Sequence, residues 1–163
     1  PKIFRLVKNG KLIEGVYEGE TLNTPSMFCV ADALDSLMWI KEIGGLTETI
    51  RRSNENFKCL QGWVDKTPWI ENLVSDPRNR SNTSVCLKFS DERLISLIPD
   101  EKTRFVKEFV ALLEAENAAF DIKGHRNAPP GLRIWCGATI NLDDIQTLLP
   151  WLEYCFHDII SSY

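Results

Sequence analysis

The chain has 163 residues, 44% of them hydrophobic and 26% charged, which suits a soluble globular protein of one to one and a half domains and excludes disorder over most of its length. Its formal net charge is −4 with both signs scattered, so it lacks the basic stripe a general nucleic-acid binder needs. No apolar run approaches a membrane span, and the opening PKIFRLVKNGKL has no signal-peptide core.

In chain order, residues 3–7 and 12–18 are short β-rich runs around Asn9-Gly10, the strongest short-range hairpin signal. After Asn23-Thr24-Pro25-Ser26 the apolar period becomes helical, with Val30, Leu34, Leu37 and Met38 on one face and Ser26 as N-cap. Gly44-Gly45 interrupts this helix. A second follows through Leu46, Ile50, Phe57, Leu60 and Val64, with the polar Ser53 between them, so the pair reads as a spine between two lobes.

Beyond Trp69 the pattern is α+β. Strands are expected over 70–75, 83–89, 118–123 and 132–137, and helices over roughly 100–116 and from Asn141 onward, with Asp143 and Asp144 in the last helix's first turn. The expected order β-β-α-β-β-α describes a small sheet covered by helices. Cys29, Cys59, Cys86, Cys136 and Cys155 are odd in number and widely spaced with no CxxC pair, so buried free thiols in a reducing compartment are expected, and no metal site.

The segment GHRNAPPGLRIWCG, residues 124–137, is the most telling for chemistry. His125 and Arg126 close one expected strand and Arg133 lies in the next, joined by a loop stiffened by Pro129-Pro130. Guanidinium forks match carboxylate and phosphate, so these cations suit a dianion or a dicarboxylate. Spacing alone leaves two readings of Arg133, an exposed strand residue or an anion site, and gives His125 by itself a structural or surface role. Asn23 to Ser26 can be a helix-capping turn or a phosphate site at a helix N-terminus. Arg78 to Asn82 reads as a solvated basic turn, and His157 as a surface residue. There is no P-loop, HExxH or Ser-His-Asp order.

Six phrases carry a family resemblance: PKIFR at 1–5, GETLNTPSM at 19–27, IGGL at 43–46, KTPW at 66–69, RSNTSVCLK at 80–88 and APPGLRIWCGAT at 128–139. Together, and in this order, they resemble the C-terminal part of the phosphoserine aminotransferase family, with the last phrase the most specific. The resemblance implies the aspartate-aminotransferase fold of pyridoxal-phosphate enzymes, an α/β class. Residues 1–52 would be the end of the large cofactor-binding domain plus the connecting helix, and 53–163 the small C-terminal domain. It implies pyridoxal 5'-phosphate as cofactor, a cytoplasmic homodimer with shared active sites, and amino transfer from glutamate to 3-phosphohydroxypyruvate, giving 2-oxoglutarate and phosphoserine.

By the same resemblance Asn23 and Thr24 bind the cofactor phosphate of the neighbouring subunit. His125 and Arg126 reach the substrate's distal anion, and Arg133 clamps the α-carboxylate. The lysine that carries the cofactor lies upstream of Pro1, so the chain holds no catalytic residue and is expected to be inactive alone. Two rivals stand beside this reading. One is a non-catalytic anion-binding α+β module; the other is a pyridoxal-phosphate enzyme of the same fold with a different reaction.

Overall fold

The computed structural model describes residues 6–20, 24 and 26–163. Contacts within the chain group it into two units, with the boundary along the sequence between Ile43 and Gly44.

The first unit begins with the Asn-Gly hairpin. Strands β1 (Val7–Lys8) and β2 (Lys11–Leu12) pair antiparallel, with Asn9 at φ 52° and Gly10 at φ 75°. Those two positive φ values are what a tight hairpin turn requires, and asparagine and glycine adopt them most cheaply. The expected second strand is much shorter than 12–18, because Glu14–Glu18 coil into a 3-10 turn closed by Gly19 at φ 95°. Residues 3–5 of the expected first strand lie outside the described residues.

Helix α1 (Met27–Glu42) starts where the sequence places it, and the Cys29 N–H donates to Ser26 Oγ at 3.4 Å. It buries none of its side chains in this structure. Gly44 at φ 118° and Gly45 at φ 75° then break the helical path, and their left-handed backbone favours glycine.

The second unit runs from helix α2 (Gly45–Val64) to the C-terminus. Its three-stranded antiparallel sheet has the order β3 (Ile70–Asn72), β4 (Ser84–Phe89) and β5 (Leu132–Trp135). Helices α3 (Glu92–Ile95) and α4 (Pro99–Ala115) connect β4 to β5, and α5 (Leu142–Ile160) follows. Strand alternation sets the two faces of the sheet. Val85 opposes Ile134 and Leu87 opposes Leu132 on the buried face, while Cys86 opposes Arg133 and Ser84 opposes Trp135 on the other.

Helices supply the rest of the core. Phe105, Phe109 and Leu113 of α4 and Leu152, Cys155 and Phe156 of α5 are almost wholly buried, with Leu60 of α2. Trp69 stacks on Phe156 with ring centroids 4.0 Å apart, and Phe89 meets Phe105 and Phe109 edge-on. Aromatic pairs in such geometries add to plain burial.

Two polar devices tie elements together. Buried Asn56 of α2 donates through Nδ2 to the Ile140 carbonyl at 2.9 Å, just ahead of α5. The Glu153 carboxylate of α5 accepts from both the Trp63 and Trp69 indole N–H groups, at 2.8 and 3.2 Å.

The β-β-α-β-β-α expectation loses one strand. Residues 118–123 form only an isolated antiparallel bridge, Lys123 to Leu132. Asn117 at φ 55° and Asp121 at φ 53° interrupt extended backbone there, and short Asn and Asp side chains tolerate that region better than most. The strand expected over 70–75 stops at Asn72, ahead of the turn at Asp76-Pro77. The thiols also differ from expectation. Cys136 and Cys155 are buried, but Cys59 and Cys86 are half-buried and Cys29 is exposed. All five are free, and no group of His, Cys, Asp or Glu among the described residues could hold a metal ion.

Candidate functional site

The loop between Lys123 and Leu132 is built by its backbone. Gly124 N–H donates to the Gly131 carbonyl at 2.9 Å and Arg133 N–H to the Ile122 carbonyl at 2.7 Å, so the chain enters and leaves side by side. Ala128 N–H donates to the His125 carbonyl at 2.8 Å, closing a turn over His125 to Ala128. Gly131 is where the loop docks: a Cβ there would run into the carbonyl oxygen of Leu87 on β4. Glycine at this position lets the loop press against the sheet, which holds the preceding residues in place.

Within that loop Asn127 N–H donates to Nδ1 of His125 at 3.2 Å. The neutral imidazole therefore carries its proton on Nε2, which leaves that nitrogen as a donor. His125 and Arg126 are exposed and line one small pocket of ≈ 190 Å³ with Lys123, Pro130 and Thr103 of α4. Among the described residues no carboxylate lines it. In a chain of net charge −4, such a pocket is a local inversion of sign and suits an anion.

Arg133 is placed differently. It does not line that pocket, and it projects from β5 on the face opposite the core, half-buried. Its Nη2 meets Asp121 Oδ2 at 3.3 Å, and the Asp121 side chain is 89% exposed. A partner held at a single long contact and mostly in water contributes little. A carboxylate arriving in bidentate geometry would displace it.

At the start of α1, Thr24 is exposed and Ser26 caps the helix; Asn23 lies outside the described residues. The turn at Asp76 to Arg80 is locally satisfied, with Arg78 paired to Asp76 and Arg80 donating to the Val74 and Ser75 carbonyls. His157 is exposed, 3.7 Å from Glu153. The structure thus brings His125 and Arg126 together and leaves Arg133 on the adjoining sheet face. Lys123, which shares the pocket, and Asp121, which holds Arg133, were not singled out in the sequence. The position of Lys123 two residues before His125 was the available signal for it.

The fold is one that aminotransferases use. Phosphoserine aminotransferase from Bacillus circulans subsp. alkalophilus superposes with a TM-score of 0.71 at 22% identity, over 88% of this chain and 36% of that one. The pyridoxal-phosphate-bound phosphoserine aminotransferase from Trichomonas vaginalis gives a TM-score of 0.68 at 22% identity, over 85% of this chain and 36% of that one. No family model matches the chain.

In sequence, phosphoserine aminotransferase from Methanosarcina mazei is 44% identical over 158 residues, which is 96% of this chain and 40% of the relative. That from Methanosarcina barkeri is also 44% identical, over 159 residues. The chain belongs with the C-terminal part of the phosphoserine aminotransferase family. It spans about 40% of the length of the curated relatives it matches.

Proposed function

We propose that this chain supplies the anion-recognising side of a phosphoserine aminotransferase, a pyridoxal-phosphate enzyme that moves an amino group from glutamate to 3-phosphohydroxypyruvate. The observation that carries the reading is the acid-free pocket holding His125 and Arg126 on a loop fixed by Gly131. Both donor acids and both acceptor ketoacids of that reaction have an α-carboxylate and a second anionic group. Two cationic positions are needed, and two support the reading: His125 with Arg126, and Arg133 on the adjoining face.

In this reading His125 donates from Nε2 to the distal phosphate or carboxylate, and Arg126 supplies a charged fork. Arg133 exchanges Asp121 for the α-carboxylate of the substrate. Asn23 and Thr24 would hold the cofactor phosphate of the neighbouring subunit, and the exposed Thr24 hydroxyl fits that role chemically. The cofactor, when bound, acts as the electron sink for the reaction. The residues of this chain bind and orient.

The assembly that goes with this reading is a cytoplasmic homodimer with shared active sites. Five free thiols agree with a reducing compartment. Residues 1–52 are assigned to the end of the large domain plus the connecting helix, and 53–163 to the small domain. The exposed apolar side chains of α1 support a helix made to be covered.

The test uses the two histidines of the chain. Imidazole proton resonances are followed by NMR while O-phosphoserine is added. The His125 signal shifts saturably and that of His157 does not. Equal movement of both, or of neither, would remove the pocket from the substrate site.

A further inference from the structure

The pocket at residues 123–131 has a third basic group that neither the resemblance nor the two-clamp reading uses. Lys123 lines it beside His125 and Arg126. The bridge to Leu132 fixes the Lys123 backbone, and the alternating register turns Lys123 outward while Ile122 is buried. Among the described residues no carboxylate pairs with Lys123, His125 or Arg126, although most other arginines of this unit hold an acid.

Several donors around the pocket are already used. The amides of Gly124, Asn127 and Ala128 are spent inside the loop, and Pro129 and Pro130 have none to give. The Thr103 hydroxyl donates to the Pro99 carbonyl at 2.9 Å. The side chains of Lys123, His125 and Arg126 line the pocket and can donate to an anion held there.

We propose that Lys123 is the third basic group of this pocket, a full cation beside Arg126, and gives it a preference for a dianionic phosphate over a monoanionic carboxylate. The inference rests on assigning the pocket to the substrate's distal anion. Its physical basis is that Coulomb energy scales with the product of the charges. Adding one ammonium strengthens a dianion's binding by twice the logarithm of what a monoanion gains. Lysine suits this task because its ammonium acts as a point charge, whereas geometry-dependent recognition falls to the arginine fork. Lys123 would then help separate the phosphate-bearing substrate from glutamate, which has a carboxylate at the same place.

The test titrates the full 163-residue chain with methyl phosphate and, separately, with acetate, following His125 by NMR with His157 as the internal reference. At about pH 8 a phosphate monoester is a dianion, since its second pKa is about 6. The expected result is that Lys123→Gln weakens methyl phosphate about tenfold and acetate about threefold, while Lys123→Arg, which keeps the charge, restores most of the phosphate affinity. Arg126→Gln, a probe of the pocket assignment itself, weakens both ligands.

If Arg126→Gln weakens binding and Lys123→Gln leaves it unchanged, the pocket assignment stands and the role of Lys123 is overturned. Equal losses for both ligands, or no rescue by arginine, overturn the charge argument. If neither ligand moves His125 in the unaltered chain, the pocket assignment and the inference fall together.

Discussion

Two helices of similar length show what differs between the two units. Helix α1 has 16 residues and an apolar character, yet it leaves Met27, Phe28, Leu34 and Leu37 exposed and buries nothing. Helix α5 has 19 residues and buries six side chains, among them Leu152, Cys155 and Phe156. Helix α5 even carries Pro150 in its interior, so intrinsic propensity does not explain the contrast; it lies in tertiary packing, which supplies most helical stability in proteins. An apolar stripe in a sequence announces that a face will be covered, without naming what covers it.

The largest expected difference is chemical. Burial pushes the Cys136 thiol up to about 12, with Cys59 nearby adding to it, and burial likewise pushes Cys155 up to about 11. Against the ordinary 9.0 this cuts the reactive thiolate of Cys136 about a thousandfold. Native alkylation at about pH 8, read by peptide mass spectrometry, should modify Cys29 of α1 readily and leave Cys136 and Cys155 intact. Protection of Cys29 to the same degree would break the comparison, because the α1 face would then be covered in solution.

Next in size is a pair of truncations. Phe109 is wholly buried against Phe89 and Phe105, so Phe109→Ala should cost about 3–5 kcal/mol by loss of burial and creation of a cavity. Phe28→Ala, at an 84% exposed position, should change stability by no more than about 0.5 kcal/mol. Urea denaturation of each variant gives both numbers. Similar costs for the two would mean that the first unit packs its apolar face as tightly as the second does.

Much of this architecture was legible in the sequence where a local rule decides the outcome. Asn9-Gly10 specified its turn, Ser26 its cap, and Asp143 with Asp144 the acidic first turn of α5, where Asp144 accepts from the Asn141 N–H at 3.0 Å. The strand expected over 118–123 failed because alternation cannot reveal a left-handed backbone at Asn117 and Asp121. The placing of Arg133 on the face opposite the core followed from apolar Leu132 and Ile134 beside it. Its pairing with Asp121, twelve residues back, needed the loop's path. The joint pocket of Lys123, His125 and Arg126 depended on Gly131 pressing against β4, a contact between distant parts of the chain.

A middling effect should come from Glu153. Its carboxylate receives two indole N–H groups, one from α2 and one from the segment leading into β3. Glu153→Ala should cost about 1–3 kcal/mol, since both indoles lose a charged acceptor in a partly buried setting. The loss should appear as a lower urea midpoint with an unchanged m-value. A midpoint equal to that of the parent chain would show that water replaces the carboxylate at both indoles, and that Glu153 adds nothing to the joining of α2 and α5.

The smallest expected effect tests whether short elements of the second unit lean on charge. Asp91 caps α3, accepting from the Arg93 N–H at 3.0 Å and from the Arg93 guanidinium at 2.9 Å. The Arg93 side-chain hydrogen bond holds the Asp91 carboxyl below the usual aspartate value, with the backbone N–H contributing in the same direction. A depressed carboxyl stabilises the fold above the unfolded-state value, and that contribution is lost as pH falls through the folded-state value. Asp91→Ala should therefore cost about 1 kcal/mol near neutrality, where cap and charge both operate. Asp91→Asn keeps the cap, so its deficit should be smaller and should shrink as pH drops below about 4. Urea midpoints across that range measure both. An Asp91→Asn deficit that stays constant with pH would mean the ion pair adds nothing and the cap alone holds α3.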